Sequence, residues 1–192
     1  MPIRLLTPSK PTGAIHKSSS MSLPDLFIET ERLLIRPFTM ADIEPAYQMN
    51  LDADVSRFTG DGGVVSRDEM ERRIVEDVLG DYNRYGFGRL AVEWKGTNRF
   101  IGFTGLKYLE DLDEVDLGYR FMSAYWGKGI ATESGRACVD LGFGQLGLNK
   151  LIAMVLPENT GSIRVLDKLD FTFAHELMED QQLVHVYSLV NP

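Results

Sequence analysis

Cysteine is almost missing from this chain, with Cys138 standing alone among 192 residues. A single thiol excludes an internal disulfide framework and fits a reducing compartment; it is expected to be a small apolar filler on a buried helix face rather than a nucleophile. Long apolar runs are missing as well. No stretch approaches the roughly 18 to 20 residues that a helix needs to span a bilayer, so the expectation is a soluble, cytoplasmic protein with no membrane partner. Cations are in deficit, 20 Lys and Arg against 28 Asp and Glu for a net charge of −8. That balance removes the electrostatic basis of general nucleic-acid binding and favours cationic partners such as amines. Histidine is scarce, and His16, His175 and His185 stand apart from one another and from Cys138 without ligand spacing, so no metal is expected.

What is present is a chain with 44% hydrophobic content, long enough for one well-buried domain and short for two. Residues 1–24 carry Pro2, Pro8, Pro11, Gly13 and three consecutive serines, with no acidic residue before Asp25. They read as a flexible N-terminal tail, and residues 25–192 as a single domain. Within it, Arg32 to Pro37 is expected as a first strand, and Thr39 caps a helix carrying Ile43, Ala46, Tyr47 and Asn50. Ser66-Arg67-Asp68-Glu69 is a capping box, followed by Met70, Ile74, Val78 and Tyr82 at helical spacing. Phe87 to Trp94, Phe100 to Lys107 and Val115 to Met122 read as strands on short links, hence antiparallel neighbours. A helix to about Phe143, a strand Leu151 to Leu156, a helix Asn159 to Leu169 and two closing strands near Phe171 to Leu177 and Leu183 to Leu189 complete the pattern. The fold class is α/β: a mixed, largely antiparallel sheet with helices on both faces.

The most informative segment is Tyr125-Trp126-Gly127-Lys128-Gly129-Ile130-Ala131-Thr132-Glu133, where an apolar strand gives way to a helical pattern. N–H groups at a helix start lack intrahelical partners and the dipole favours anions, so phosphates can bind there without a dedicated cation. Glycines let the backbone come close and take positive φ. A dinucleotide fingerprint fails because Thr132 occupies the third glycine position and no acid lies between Gly147 and Leu151. A P-loop fails because its Gly-Lys-Ser/Thr order is absent.

The segment resembles the acyl-CoA loop of the GNAT N-acetyltransferases, Q/R-x-x-G-x-G/A, aligned as Trp126-x-x-Gly129-x-Ala131, and its Y-W-G-K-G-x-A-T-E form looks like the RimJ/RimL branch. Thr30 to Pro37 is similar to that branch's TERLxLRP strand and Asp116-Leu117-Gly118-Tyr119 to its EIGY strand. Asn159-x-x-Ser162 with Leu166 to Phe171 is similar to its N-x-x-S…L-x-KLGF helix. Asp170 departs from the family glycine at a helix end, where aspartate tolerates a left-handed conformation. The likeness spans roughly residues 28 to 190.

This resemblance implies the GNAT fold, with a sheet splayed at the cofactor site, and transfer of an acetyl group from acetyl-CoA to a primary amine with no metal. Backbone N–H groups of Lys128, Gly129, Ile130, Ala131 and Thr132 would grip the pyrophosphate, with Trp126 and Gly127 shaping the turn. The pantetheine would lie along the strand of Gly118 and Tyr119, where a bulge at Gly118 is expected. Phe121 and Met122 would face the thioester, one of their N–H groups being the oxyanion donor. Asn159 would cap its helix and touch the pantetheine, and Ser162 is the candidate general acid, since Asn159 to Phe171 contains no tyrosine. Asp116 is the favoured base, with Glu93, Glu110 and Glu133 as rivals; alternation puts His185 on a polar face.

The acceptor is an amine-bearing small molecule or a protein N-terminus. An α-amine of pKa about 7.7 to 8.0 is free base roughly one time in ten at pH 7, a lysine roughly once in 2,500, so lack of an unambiguous base leans toward protein N-termini. A small amine (antibiotic, polyamine or amino acid) and a non-catalytic acyl-CoA-binding regulatory module are the alternatives. Arg57 to Gly63 reads as a lid over the amine side, with Phe58, Tyr82 and Tyr85 as pocket aromatics. Exposed strand edges near the C-terminus offer a homodimer surface.

Overall fold

A computed structural model describes residues 26–58, 63–179 and 181–192; the expected tail, 1–24, and most of the expected lid lie outside them. Strands form where apolar residues alternate or run together: β1 (Ile28–Glu29), β2 (Leu33–Pro37), β3 (Arg89–Trp94), β4 (Arg99–Leu109), β5 (Glu114–Phe121), β6 (Lys150–Val155), β7 (Thr172–Glu179) and β8 (Gln182–Val190). They make one sheet in the order β1-β2-β3-β4-β5-β6-β8-β7. Every neighbouring pair is antiparallel except β5 and β6, which run parallel. The parallel pair needs a crossover, and the segment between the two strands supplies it with a helix.

The helices follow their caps. Thr39 starts a 3-10 turn over Met40–Asp42 that runs into α1 (Ile43–Asn50), and Asp52 caps the short α2 (Ala53–Ser56) by accepting the Asp54 N–H. The Ser66 hydroxyl accepts the Glu69 N–H at 3.2 Å and opens α3 (Arg67–Arg72), which passes through a π turn at Arg73–Val78 into α4 (Leu79–Tyr85). The crossover helix α5 (Ile130–Asp140) ends in a second π turn, Leu141–Gln145, and α6 (Thr160–Lys168) follows β6. Beyond α6, Asp170 has φ +68°, the left-handed conformation expected for an aspartate at that helix end.

Alternation along the strands feeds two cores. Leu33, Ile35, Leu90, Val92, Ile101, Leu106 and Leu117 pack with Ile130, Cys138 and Val139 of α5. Ala91 and Phe100, offset by one residue from that set, pack with Phe38, Ile43, Met49, Met70 and Ile74. Helices therefore cover both faces, as the pattern predicts. The sequence pattern did not foresee β1, α2 or the two π turns: two- and four-residue elements hold only about one period, too little to show a repeat, and the π turns lie inside continuing helical stretches.

Candidate active site

The two edges of β5 are not alike. Against β4 it pairs over eight successive positions from Gly102↔Phe121 to Leu109↔Glu114 without a register shift. Against β6 it pairs at one, Asp116↔Ile152. Past that pair the ladder stops, which leaves a gap in the pairing between the two strands.

Two hydrogen bonds fix which backbone groups face it. The Met122 N–H donates to the Ile101 carbonyl at 2.9 Å and the Asn191 N–H to Asn149 at 2.9 Å. Hydrogen-bonding direction alternates along antiparallel strands. Even-numbered β5 residues therefore point at β4, even-numbered β6 residues point at β5, and the N–H and C=O of Leu117, Tyr119 and Phe121 point toward β6. Of the two residues expected to face a thioester, Phe121 presents its backbone to the gap; the Met122 N–H is already committed to Ile101. The Phe121 carbonyl accepts the Trp126 indole N–H at 2.7 Å, which leaves its N–H as the donor at the mouth.

Gly118 does something other than expected. No bulge interrupts β5; a Cβ at Gly118 would instead overlap the Arg89 guanidinium. Arg89 crosses that glycine to ion-pair with Asp116, and its Nη1 also donates to the carbonyls of Gly105 and Asp116. Asp116 is buried, and its second carboxylate oxygen accepts the Met154 N–H at 3.2 Å. Both carboxylate oxygens of Asp116 are therefore engaged, one by the Arg89 guanidinium and one by a backbone N–H.

The segment after β5 forms a 3-10 turn, Ser123–Tyr125, and then reaches α5 through Gly127 (φ +72°) and Gly129 (φ +76°). Both need the left-handed region, where a side chain is strained, and Gly129 is the N-cap of α5. The Glu133 N–H already bonds the Gly129 carbonyl at 3.0 Å, so the N–H groups of Ile130, Ala131 and Thr132 are the ones open to an anion. Lys128 lies over the Tyr125 ring at 5.3 Å and donates to the Ala124 carbonyl at 2.9 Å.

Glu133 holds this loop to the start of the domain. It accepts from Thr30 Oγ1 at 2.6 Å, the Arg32 N–H at 3.0 Å and Arg32 Nε at 2.7 Å, while Arg32 Nη1 donates to the Lys128 carbonyl at 2.8 Å. Burial alone would raise the Glu133 carboxyl, but the bonds from Thr30 and Arg32 outweigh it and hold it below the usual range. The Thr30-Glu31-Arg32 and Ala131-Thr132-Glu133 motifs are thus halves of one clasp, which spacing alone did not reveal.

Across the gap, Asn159 Oδ1 accepts the Ser162 N–H at 3.1 Å and caps α6. The Tyr119 hydroxyl spans from β5 to the Ser162 carbonyl at 3.2 Å, and burial pushes that phenol well above its ordinary value. Ser162 is half-buried.

The rival carboxylates are also engaged: Glu93 pairs with Arg36 at 2.6 Å, Glu110 accepts from the Tyr85 hydroxyl, and Glu133 belongs to the clasp. His185 lies 3.2 Å from Glu176 on the neighbouring strand, between buried Val184 and Val186. Of the expected pocket aromatics, Tyr82 is buried in the core with its hydroxyl bonded to the Arg89 carbonyl. No cluster of three or more metal-ligating side chains occurs among the described residues, and none of their helices is long and apolar enough to cross a membrane.

This arrangement offers an anion cradle at one end, a strand edge that can pair with an amide-bearing chain in the middle, and a backbone donor opposite a hydroxyl-bearing helix. A family model described as "Acetyltransferase (GNAT) domain" matches residues 32–172. The N-acetyltransferase p20 of Bacillus licheniformis, described as uncharacterized, is 31% identical over 144 residues, 74% of this chain and 80% of that one. Spermidine N(1)-acetyltransferase of Escherichia coli is 27% identical over 150 residues, 76% of each chain. Protein YkkB of Bacillus subtilis is 32% identical over 105 residues, 54% of this chain and 61% of that one. Among solved structures, a GNAT-family acetyltransferase from Bacillus anthracis superposes with TM-score 0.74 at 25% identity, over 85% of this chain and 98% of that one. RimL, a ribosomal L7/L12 alpha-N-protein acetyltransferase solved with coenzyme A, shares the fold with TM-score 0.73 at 16% identity, over 85% and 97%.

Proposed function

Because the chain belongs to the GNAT acetyltransferase family, and is therefore an acetyl-CoA-dependent N-acetyltransferase, we propose that its acceptor is a primary amine of modest pKa, with the α-amino group of a protein N-terminus favoured. The supporting observation is the state of the carboxylates. Asp116, Glu93 and Glu133 are each tied to an arginine, so none stands as an unengaged carboxylate dedicated to an incoming amine. An α-amine of pKa about 7.7 to 8.0 is already neutral roughly one time in ten at pH 7 and needs little help. RimL, which shares the fold, is an alpha-N-protein acetyltransferase, which agrees with this acceptor class.

Acetyl-CoA supplies an acetyl group activated as a thioester. The chain's own part is to hold and orient. N–H groups of Ile130, Ala131 and Thr132 grip the pyrophosphate, and the gap-facing edge of Tyr119 and Phe121 aligns the pantetheine. The Phe121 N–H stabilises the charge that develops on the carbonyl oxygen, a donor typically worth about 2.7 to 4 kcal/mol. As the C–N bond forms and the C–S bond breaks, Ser162, on the first turn of α6, relays to the departing sulfur the proton that the attacking nitrogen gives up, and so ends protonated as it began; Asn159 holds that turn in place.

A polyamine is the second reading, and Asp52 favours it. Its carboxylate accepts from the Ser123 hydroxyl at 2.5 Å, one residue beyond Met122, and that hydroxyl, with the Asp54 and Val55 N–H groups, holds it below the usual carboxylate range. A persistent negative charge there would suit a second cationic nitrogen, as in the spermidine that the Escherichia coli relative acts on. Thiol release over N-terminal peptides, a lysine peptide with a blocked α-amine, and spermidine decides between them. We expect kcat/KM for an N-terminal peptide at least tenfold above the other two; spermidine as the best acceptor would replace the first reading with the second.

A further inference from the structure

We propose that Asp116 and Arg89 are the positioning residues that open the gap between β5 and β6. The inference rests on the acetyl-CoA reading for its purpose and on the strand register for its geometry. In a continued parallel ladder with Asp116↔Ile152 as its bridge, the Met154 N–H would donate to the Leu117 carbonyl and the Tyr119 N–H to the Met154 carbonyl. The Met154 N–H instead goes to Asp116 Oδ1 at 3.2 Å. A side chain has intercepted the first main-chain bond past the bridge, and the pairing stops there.

The interception needs an acceptor oxygen held in place. Asp116 is 7% exposed, and an unpaired carboxylate at that depth is costly. Arg89 balances it, and Gly118 leaves the space through which the guanidinium passes. Arg89 also ties Asp116 to β4 through the Gly105 carbonyl, so β5 is held on its closed side while β6 is released. The β5 edge left free by this arrangement carries the N–H and C=O of Tyr119 and the N–H of Phe121, whose carbonyl takes the Trp126 indole; these are the groups that an extended amide-bearing arm would pair with. Where the sequence resemblance implies a bulge, this chain has a carboxylate in the ladder.

The test uses Asp116→Asn, Asp116→Ala and Arg89→Met in the full chain, with two readouts: amide hydrogen exchange at Met154 and Tyr119 without ligand, and acetyl-CoA affinity by calorimetry, supplemented by kcat against pH. Asn keeps an oxygen for the Met154 N–H. It is expected to keep the Tyr119 amide fast-exchanging, acetyl-CoA affinity within about threefold, and the kcat profile in place. Ala lets the strands pair, so Tyr119 becomes protected at least tenfold and acetyl-CoA binds at least tenfold more weakly. Arg89→Met shifts both readouts in the same direction.

Fast Tyr119 exchange and unchanged affinity in both Ala and Met variants would overturn the proposal. So would an Asn variant with normal affinity and kcat reduced a hundredfold, which would make Asp116 the base. If Asp116→Ala fails to fold, the Asn and Arg89→Met variants still decide. A wild-type chain that binds no acetyl-CoA would sink the cofactor reading, while the exchange data would judge the gap by themselves.

Discussion

One strand, β5, has a closed edge and an open one. The closed edge meets β4 in eight consecutive pairs; the open edge meets β6 in one. The same eight residues, Glu114–Phe121, supply both. Parity separates the roles: even positions spend their backbone groups on β4, while past the bridge Tyr119 keeps its N–H and C=O and Phe121 its N–H. A binding surface built this way needs no dedicated side chains, and its rigidity comes from the strand behind it.

The largest way to break the contrast is on the closed side. Leu106 is fully buried opposite Leu117, and Leu106→Ala should cost about 2 to 5 kcal/mol of stability in denaturant unfolding, while calorimetry on the folded protein finds acetyl-CoA affinity within about threefold. Next comes the open side. Gly129→Glu puts a strained, negatively charged residue at φ +76° in the anion cradle and should weaken acetyl-CoA binding at least about a hundredfold, near 2.7 kcal/mol. Equal binding by that variant would mean that the loop is only a turn.

A finer probe is Trp126→Phe, which deletes the indole bond to the Phe121 carbonyl. Loss of one such bond is worth about 0.5 to 1.5 kcal/mol, so KM for acetyl-CoA should rise roughly two- to tenfold with little change in melting temperature. The smallest effect belongs to Glu133. Its folded-state pKa is lowered, so the stability it contributes is complete above the ordinary carboxylate range and is lost as pH falls through the folded value. Glu133→Gln should flatten the acid limb of Tm against pH below about pH 5; an unaltered limb would place the clasp's strength in its neutral hydrogen bonds.

The strand periods, the N-cap at Ser66 and the glycine spacing at Gly127 and Gly129 were legible because each is a local pattern with a local cause; of the expected capping box only the Ser66 half forms, the Glu69 carboxylate going to Arg72 and Arg73. Cys138 was legible too: it is fully buried against Thr104, and burial pushes its thiol up to about 11. The roles of Asp116, Gly118 and Met122 were not. Arg89 lies 27 positions before Asp116, and nothing between them announces the pair. Whether Met122 or Phe121 faces the gap depends on a register that only the assembled sheet defines, since a shift of one residue exchanges the two.

The clasp of Thr30, Arg32, Lys128 and Glu133 bears on the order in which the molecule comes together. Arg32 and Glu133 are 101 positions apart, so the anion loop takes its final form only after the opening strands have docked against α5. Loops closed over such spans are late, slow contacts. Any ligand that requires the finished loop then favours the docked state by mass action, and acetyl-CoA should slow proteolytic attack at β1 and β2, far along the sequence from the residues it touches.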